Sequence, residues 1–191
     1  NIWELRERIG IVTTDLDSRL SRKDILVIEI LKTGIKPIST KDSQESNYSE
    51  EDHKKLDSII TKFHIKGILY NKYKQLSDGE KRKILIARAL INSPEIIILD
   101  EPTSKLDLKS KHLLLNVTQE ICSSDSTLLI VTHDIEAIVP GINRIIFLKN
   151  GQIVGDGSTI QMLTSEKLSM LYDTPLKVLF KDGYWRVIPL H

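Results

Sequence analysis

Two short apolar runs in this 191-residue chain end in groups suited to handling a phosphate. Ile96-Ile97-Ile98-Leu99 runs into Asp100-Glu101, and Leu128-Leu129-Ile130-Val131 runs into Thr132-His133-Asp134. Adjacent Asp and Glu carboxylates can serve a hydrated Mg²⁺ and an attacking water. A histidine at the same edge can hydrogen-bond a phosphate oxygen. A third motif, Leu76-Ser77-Asp78-Gly79-Glu80, opens a segment rich in Lys and Arg. A helix starting there offers free N–H groups and a positive dipole end to an anion. Ser77 adds a hydroxyl, and Gly79 lets the backbone approach a phosphate closely. Singly, each feature has a plainer reading. Strand ends turn polar where they meet solvent, and Ser77 with Glu80 makes an ordinary capping box, whose cap is worth about 1 kcal/mol.

The elements that must position these groups follow from periodicity. Residues 96–99 and 128–131 are too short and too uniformly apolar for amphipathic helices, and they suit parallel strands buried on both faces. Residues 9–12 form a similar strand, ended by Thr13-Thr14-Asp15. Helices are expected over 24–33, closed by Gly34, and from the Ser49 N-cap to about residue 65. Two more are expected from Ser77 to Asn92 and over 108–121. Residues 36–48 read as a loop. Asn150-Gly151 and Asp182-Gly183 sit between β-rich runs and read as hairpin turns, joining 145–148 to 153–154 and 176–180 to 184–188. In an open parallel sheet, ligands bind beyond the carboxyl ends of the strands, where Asp100, Glu101 and His133 fall.

Composition narrows the function classes. The 27 basic and 26 acidic residues leave a net charge of +1, which argues against bare duplex DNA as a partner. Cys122 is the only cysteine, so no disulfide framework or Cys-based zinc site is available. No apolar run approaches the roughly 20 residues needed to span a bilayer, and no signal peptide is evident. His53 and His64 read as solvated, His112 as lying on a helix face, and His191 as terminal. Cys122 reads as a packed residue, and Trp3 and Trp185 as packing anchors. Lys81, Arg82 and Lys83 read as a solvated face, with Arg82 within reach of a phosphate.

The order LSDGE (76–80), IARAL (86–90), IIILDEPTSKLD (96–107) and IVTHD (130–134) resembles the ABC ATPases. Their signature, Walker B, D-loop and switch-histidine motifs occur in this order. The resemblance runs from about residue 9 to residue 154. It implies an α/β fold: a P-loop NTPase-like parallel sheet with flanking helices, a helical subdomain carrying the signature, and C-terminal β-hairpins. Within 1–191, read as a single partial domain, the helical subdomain and signature helix would cover about 20–92. The catalytic sheet core would cover about 93–150, and C-terminal strands and helices 151–191. The resemblance implies ATP and Mg²⁺ as cofactors. Asp100 would organise the Mg²⁺, Glu101 would be the general base, and His133 would touch the γ-phosphate. Ser77, Asp78, Gly79 and Glu80 would contact nucleotide held by a second ABC ATPase domain in a head-to-tail dimer. Residues 104–107, ending in Asp107, would form the D-loop.

Two departures stand out. The family's phosphate loop is G-x-x-x-x-G-K-[ST], and none of the nine glycines is followed by Lys. Thr14 stands where the Q-loop usually has Gln. The expectation is therefore a piece of a longer protein whose phosphate loop lies upstream. Without that loop's strand, apolar strand edges would be left exposed. Residues 3–12 and the tail resemble ATPases of molybdate importers, and residues 171–189 also resemble those of siderophore and vitamin B12 importers. The function implied is the ATP-hydrolysing subunit of an ABC importer for a metal, oxyanion or metal chelate. It would be cytoplasmic, peripheral on the inner face of the membrane beside a permease, with no nucleic acid bound. The alternatives are a soluble ABC ATPase acting on nucleic acid or ribosomes, and an inactive fragment.

Overall fold

The computed structural model describes residues 8–36 and 48–190. Trp3, His191 and nearly all of the expected 36–48 loop lie outside the described residues. In chain order the elements are β1 (Ile9–Val12), α1 (Thr14–Ser21), α2 (Val27–Ile35), α3 (Glu50–Lys62), α4 (Asp78–Leu90), β2 (Ile96–Asp100), α5 (Leu108–Cys122) and β3 (Thr127–Val131). There follow β4 (Arg144–Lys149), β5 (Gln152–Ser158), α6 (Thr159–Met162), α7 (Ser165–Tyr172), β6 (Leu176–Lys181) and β7 (Tyr184–Pro189). They fall into two compact units. One is 1–114 with 125–131, and the other is 115–124 with 132–191. This is a mixed α/β architecture.

In the first unit, β1, β2 and β3 form a parallel sheet in that order. Ile9 to Val12 pair with Ile96 to Leu99, and Ile96 to Asp100 pair with Thr127 to Val131. The expectation of strands buried on both faces is corrected here. Strand side chains alternate between faces, and one face carries the buried Val12, Ile97 and Leu99. The other carries Ile11, Ile96, Leu129 and Val131, which are 45%, 38%, 48% and 47% exposed. Uniformly apolar runs cannot show which of two faces is covered.

Helices α2 and α4 build the helical part of this unit. Val27, Ile30, Leu31 and Ile35 form a buried stripe on α2, the spacing of one helix face. Gly34 does not close that helix, as the sequence suggested, but lies inside it. A Cβ at Gly34 would come within 2.5 Å of the Arg88 carbonyl, so the glycine serves close helix approach rather than termination. Arg88 Nε donates to Thr33 Oγ1 at 2.7 Å, and Asn92 Nδ2 donates to the Gly34 carbonyl at 2.8 Å, fixing the crossing.

In the second unit, two antiparallel hairpins form as the turn signals predict. Asn150 and Asp182 take left-handed φ values of 52° and 53°, and Gly151 and Gly183 follow at 75° and 85°. That pattern is the one a two-residue hairpin turn requires. The core here holds Ile138, Phe147, Met162, Leu163, Leu168 and Leu176, with Trp185 packed against it. Trp185 is thus a packing anchor, with its ring 4.5 Å from that of Phe180 between centroids. Cys122 is half-buried, and its Cβ lies against Gly141. Among the described residues no helix is long and apolar enough to cross a membrane.

Candidate nucleotide-hydrolysis site

The carboxyl end of β2 is a tight, fully specified turn. Asp100 is the last strand residue, paired with Val131. Glu101 follows with a left-handed φ of 46°, a region a non-glycine residue enters at a cost. Its amide donates to the Val131 carbonyl at 2.8 Å, and its carbonyl accepts from the Ser104 amide at 3.2 Å. These contacts anchor Glu101 at both its amide and its carbonyl.

The signature segment is a capped helix start. Ser77 has extended backbone, and its Oγ accepts from the Glu80 amide at 3.3 Å. Glu80 Oε2 accepts from the Ser77 amide at 2.9 Å and from Ser77 Oγ at 2.8 Å. The Ser77 hydroxyl and the Glu80 carboxylate therefore engage one another. Asp78 stands in the first helical turn, where the dipole favours a carboxylate. Gly79 is required sterically, because a Cβ there would overlap Ser110 Oγ. Asp107 completes this contact. Its carboxylate accepts from the Ser110 amide at 2.9 Å and from Ser110 Oγ at 3.0 Å. Those two hydrogen bonds hold Asp107 below the usual carboxylate range. Ser110 thus touches both the segment reading as D-loop and the signature glycine, and nothing in the motif spacing pointed to it.

Thr14 is exposed at the start of α1, with Thr13 acting as the N-cap by accepting from the Leu16 amide at 3.2 Å. His133 belongs to the second unit. Its carbonyl accepts from Tyr172 Oη at 3.2 Å. Asp134 shapes the same loop, its amide donating to Thr132 Oγ1 and its carboxylate accepting from the Glu136 amide, both at 3.0 Å. The structure therefore brings the signature glycine and Asp107 together through Ser110, and puts Asp100, Glu101 and Thr14 in the same unit. His133 sits in a separately built loop.

Arg82 overturns the reading of residues 81–83 as a solvated face. It is buried, at 7% exposure. Its Nη2 donates to the Glu101 carbonyl at 3.4 Å, and among the described residues its Nη1 is the buried side-chain nitrogen without a partner. Such an orphan costs about 1–3 kcal/mol. Beside it, the fully buried Tyr73 donates its hydroxyl to Asp17 Oδ1 at 2.8 Å. Burial first, then that hydrogen bond, pushes the Tyr73 phenol far above its ordinary value. A sequence signal for Arg82 existed. Leu85, Ile86 and Ala89 lie three, four and seven residues on and are all buried, so Arg82 shares their helix face.

Among the described residues no cluster of three His, Cys, Asp or Glu side chains could hold a metal. The Asp100 carboxylate at the end of β2 is the kind of single protein donor that Mg²⁺ uses, since that ion keeps waters and substrate phosphates and needs only one or two protein carboxylates.

The family profile described as ABC transporter matches residues 1–104. The chain is 33% identical over 181 residues to an uncharacterized ABC transporter ATP-binding protein, YlmA, of Bacillus subtilis, covering 94% of this chain and 67% of that protein. It is 30% identical to a protein of Helicobacter pylori named "Probable iron chelatin transport ATP-binding protein", covering 68% of this chain and 51% of that one. This chain thus spans about two thirds and about half of these relatives' lengths. A solved ABC transporter of the metal-chelate type, in an inward-facing conformation, shares the fold with a TM-score of 0.76 at 24% identity, covering 96% of this chain and 73% of that one. On these matches, with its motifs in order on an α/β sheet, the chain belongs to the ABC transporter ATP-binding family.

Proposed function

We propose that this chain forms part of the ATP-hydrolysing subunit of an ABC importer that moves a metal, oxyanion or metal chelate. The observation that carries the reading is the Asp100–Glu101 turn, where a strand-end carboxylate is followed by a second carboxylate in a pinned left-handed conformation. Asp100 would hold Mg²⁺ through its waters, and Glu101 would take the proton of the attacking water. Bound Mg²⁺ supplies charge neutralisation on the transferred phosphoryl group. Ser77, Asp78, Gly79 and Glu80 would present the start of α4 to nucleotide held by a second ATPase domain. Asp107 would couple the two sites, His133 would reach the γ-phosphate, and Thr14 would stand in for the Q-loop glutamine. The phosphate loop absent from these 191 residues would come from a segment outside them. Among the described residues, the apolar face of Ile11, Ile96, Leu129 and Val131 is partly exposed and β3 pairs with β2 alone, which supports that reading. The Helicobacter pylori relative named for iron chelatin transport supports the metal-chelate part of that substrate class.

The deciding experiment joins the chain to its native upstream segment and measures MgATP hydrolysis. Hydrolysis should appear in the joined protein, and Glu101→Gln should cut it to a small residual rate while leaving ATP bound. A joined protein that neither binds nor hydrolyses ATP would defeat the reading. Copurification with a membrane permease is the outcome expected for the importer, whereas copurification with ribosomes or DNA would replace it with a non-transport role. The isolated 191 residues are expected to bind no MgATP.

A further inference from the structure

We propose that Arg82 is a positioning residue for Glu101, holding from the signature helix the strained turn that aims the Glu101 carboxylate. The proposal rests on the ATPase reading above for its consequence, though not for its geometry. Glu101 keeps a left-handed backbone without being glycine, and such a conformation persists only where its surroundings over-determine it. Two of its tethers are backbone hydrogen bonds, to Val131 and from Ser104. A further tether is the Arg82 guanidinium, on a different element, donating to the Glu101 carbonyl.

Arg82 is itself held in place. Asp17 on α1 attracts it, and the Asp17 carboxylate is oriented by the Tyr73 hydroxyl at 2.8 Å and by Ser21 Oγ at 3.2 Å. Tyr73 lies four residues before Ser77, so the segment entering the signature contributes to the same cluster. Burial pulls the Arg82 guanidinium below its ordinary value, and the negative or polar neighbours Asp17, Tyr73, Asp100 and Asp78 oppose that pull. A purely stabilising role is a poor match to this arrangement. An apolar side chain beside Leu85 and Ile86 would fill the site without leaving a buried nitrogen orphaned. A guanidinium is suited to it because it can donate to the Glu101 carbonyl while its charge is favoured by the nearby Asp17 carboxylate.

The test uses the protein joined to its phosphate-loop segment, as wild type, Arg82→Met, Glu101→Gln and the double variant. Arg82→Met should lower kcat for ATP by about tenfold or more while KM for ATP stays within about threefold. In the Glu101→Gln background it should cause no further loss of kcat, since the residue it positions is already disabled. Multiplicative losses, or a raised KM with unchanged kcat, would overturn the proposal. Arg82→Lys keeps the stem and the buried charge and so guards against simple misfolding. It should show the same kcat-selective loss at smaller size, and full wild-type kcat in it would also overturn the proposal. If the joined wild-type protein neither binds nor hydrolyses ATP, the ATPase reading fails instead, and if Glu101→Gln hydrolyses ATP as wild type does, the general-base role given to Glu101 fails. Positioning is then decided on the 191-residue chain by hydrogen exchange. Arg82→Met should speed exchange of the Glu101 and Ser104 amides while α2 keeps its protection, and unchanged exchange at Glu101 would sink the proposal.

Discussion

Helices α3 and α4 begin alike and are used differently. Ser49 caps α3 and Ser77 caps α4, each through a reciprocal box with the acid three residues on, Asp52 or Glu80. The helices part at the positions between and beyond. The second helical residue of α3 is the exposed Glu51, whereas that of α4 is Gly79, packed against Ser110. The fifth is the exposed Lys54 in α3 and the buried Arg82 in α4. The same kind of capping box therefore leaves a helix start either with exposed second and fifth positions or as a packed face next to the Glu101 turn. What separates them is the neighbour each start packs against.

The comparison can be stressed at matched positions, with urea unfolding as the measure. At the seventh position, Ile84 is fully buried and Leu56 is 7% exposed. Ile84→Ala should cost about 4 kcal/mol and Leu56→Ala about 2 kcal/mol. Equal losses would mean that α3 is as deeply built in as α4. At the second position, Gly79→Ala should cost about 2 kcal/mol by overpacking against Ser110, and Ser110→Gly should recover part of it. Glu51→Ala at the matching site should stay within about 0.5 kcal/mol. At the caps, where the helices are alike, Ser49→Ala and Ser77→Ala should each cost about 1 kcal/mol. A clear inequality there would show that the Ser77 hydroxyl does more than cap.

A separate effect at the start of α3 depends on pH. Asp52 accepts from Lys36 Nζ and from the Ser49 amide, at 2.8 and 2.9 Å. Lys36 first, and then Ser49, bring its carboxyl down to about 2. Because the folded value lies below the unfolded one, near 3.9, the contribution is fully present above roughly pH 4. It is lost as pH falls through about 2. The unfolding-midpoint difference between wild type and Asp52→Asn should be constant above pH 4 and shrink towards pH 2. A difference that does not change with pH would mean the ion pair contributes nothing.

Much of this was legible in the chain. Residues 96–99 and 128–131 announced parallel strands because short β-branched and leucine runs without helical period have few other uses. The two capping boxes and the two hairpin turns were equally plain, since each rests on interactions within a few residues. Gly34 was misread because a glycine that ends a helix and one that lets two helices touch look alike until the second helix is in place. Arg82 was misread because three consecutive basic residues suggest a solvated surface, although its spacing from Leu85, Ile86 and Ala89 put it on the buried face. Ser110 had no signal, because its contact with Gly79 crosses between elements.

The sequence by itself determined the family motifs and their order, the strand ends that carry Asp100 and Glu101, and the caps and turns. All of these depend on local chemistry or on patterns a few residues long. Only the tertiary structure decided which face of the sheet is covered, that Glu101 sits in a left-handed turn pinned to Val131, and that Arg82 is buried behind it. Those outcomes depend on side chains and backbone groups brought together from α1, α4, β2 and β3, and packing between distant segments leaves no periodic trace in any one of them.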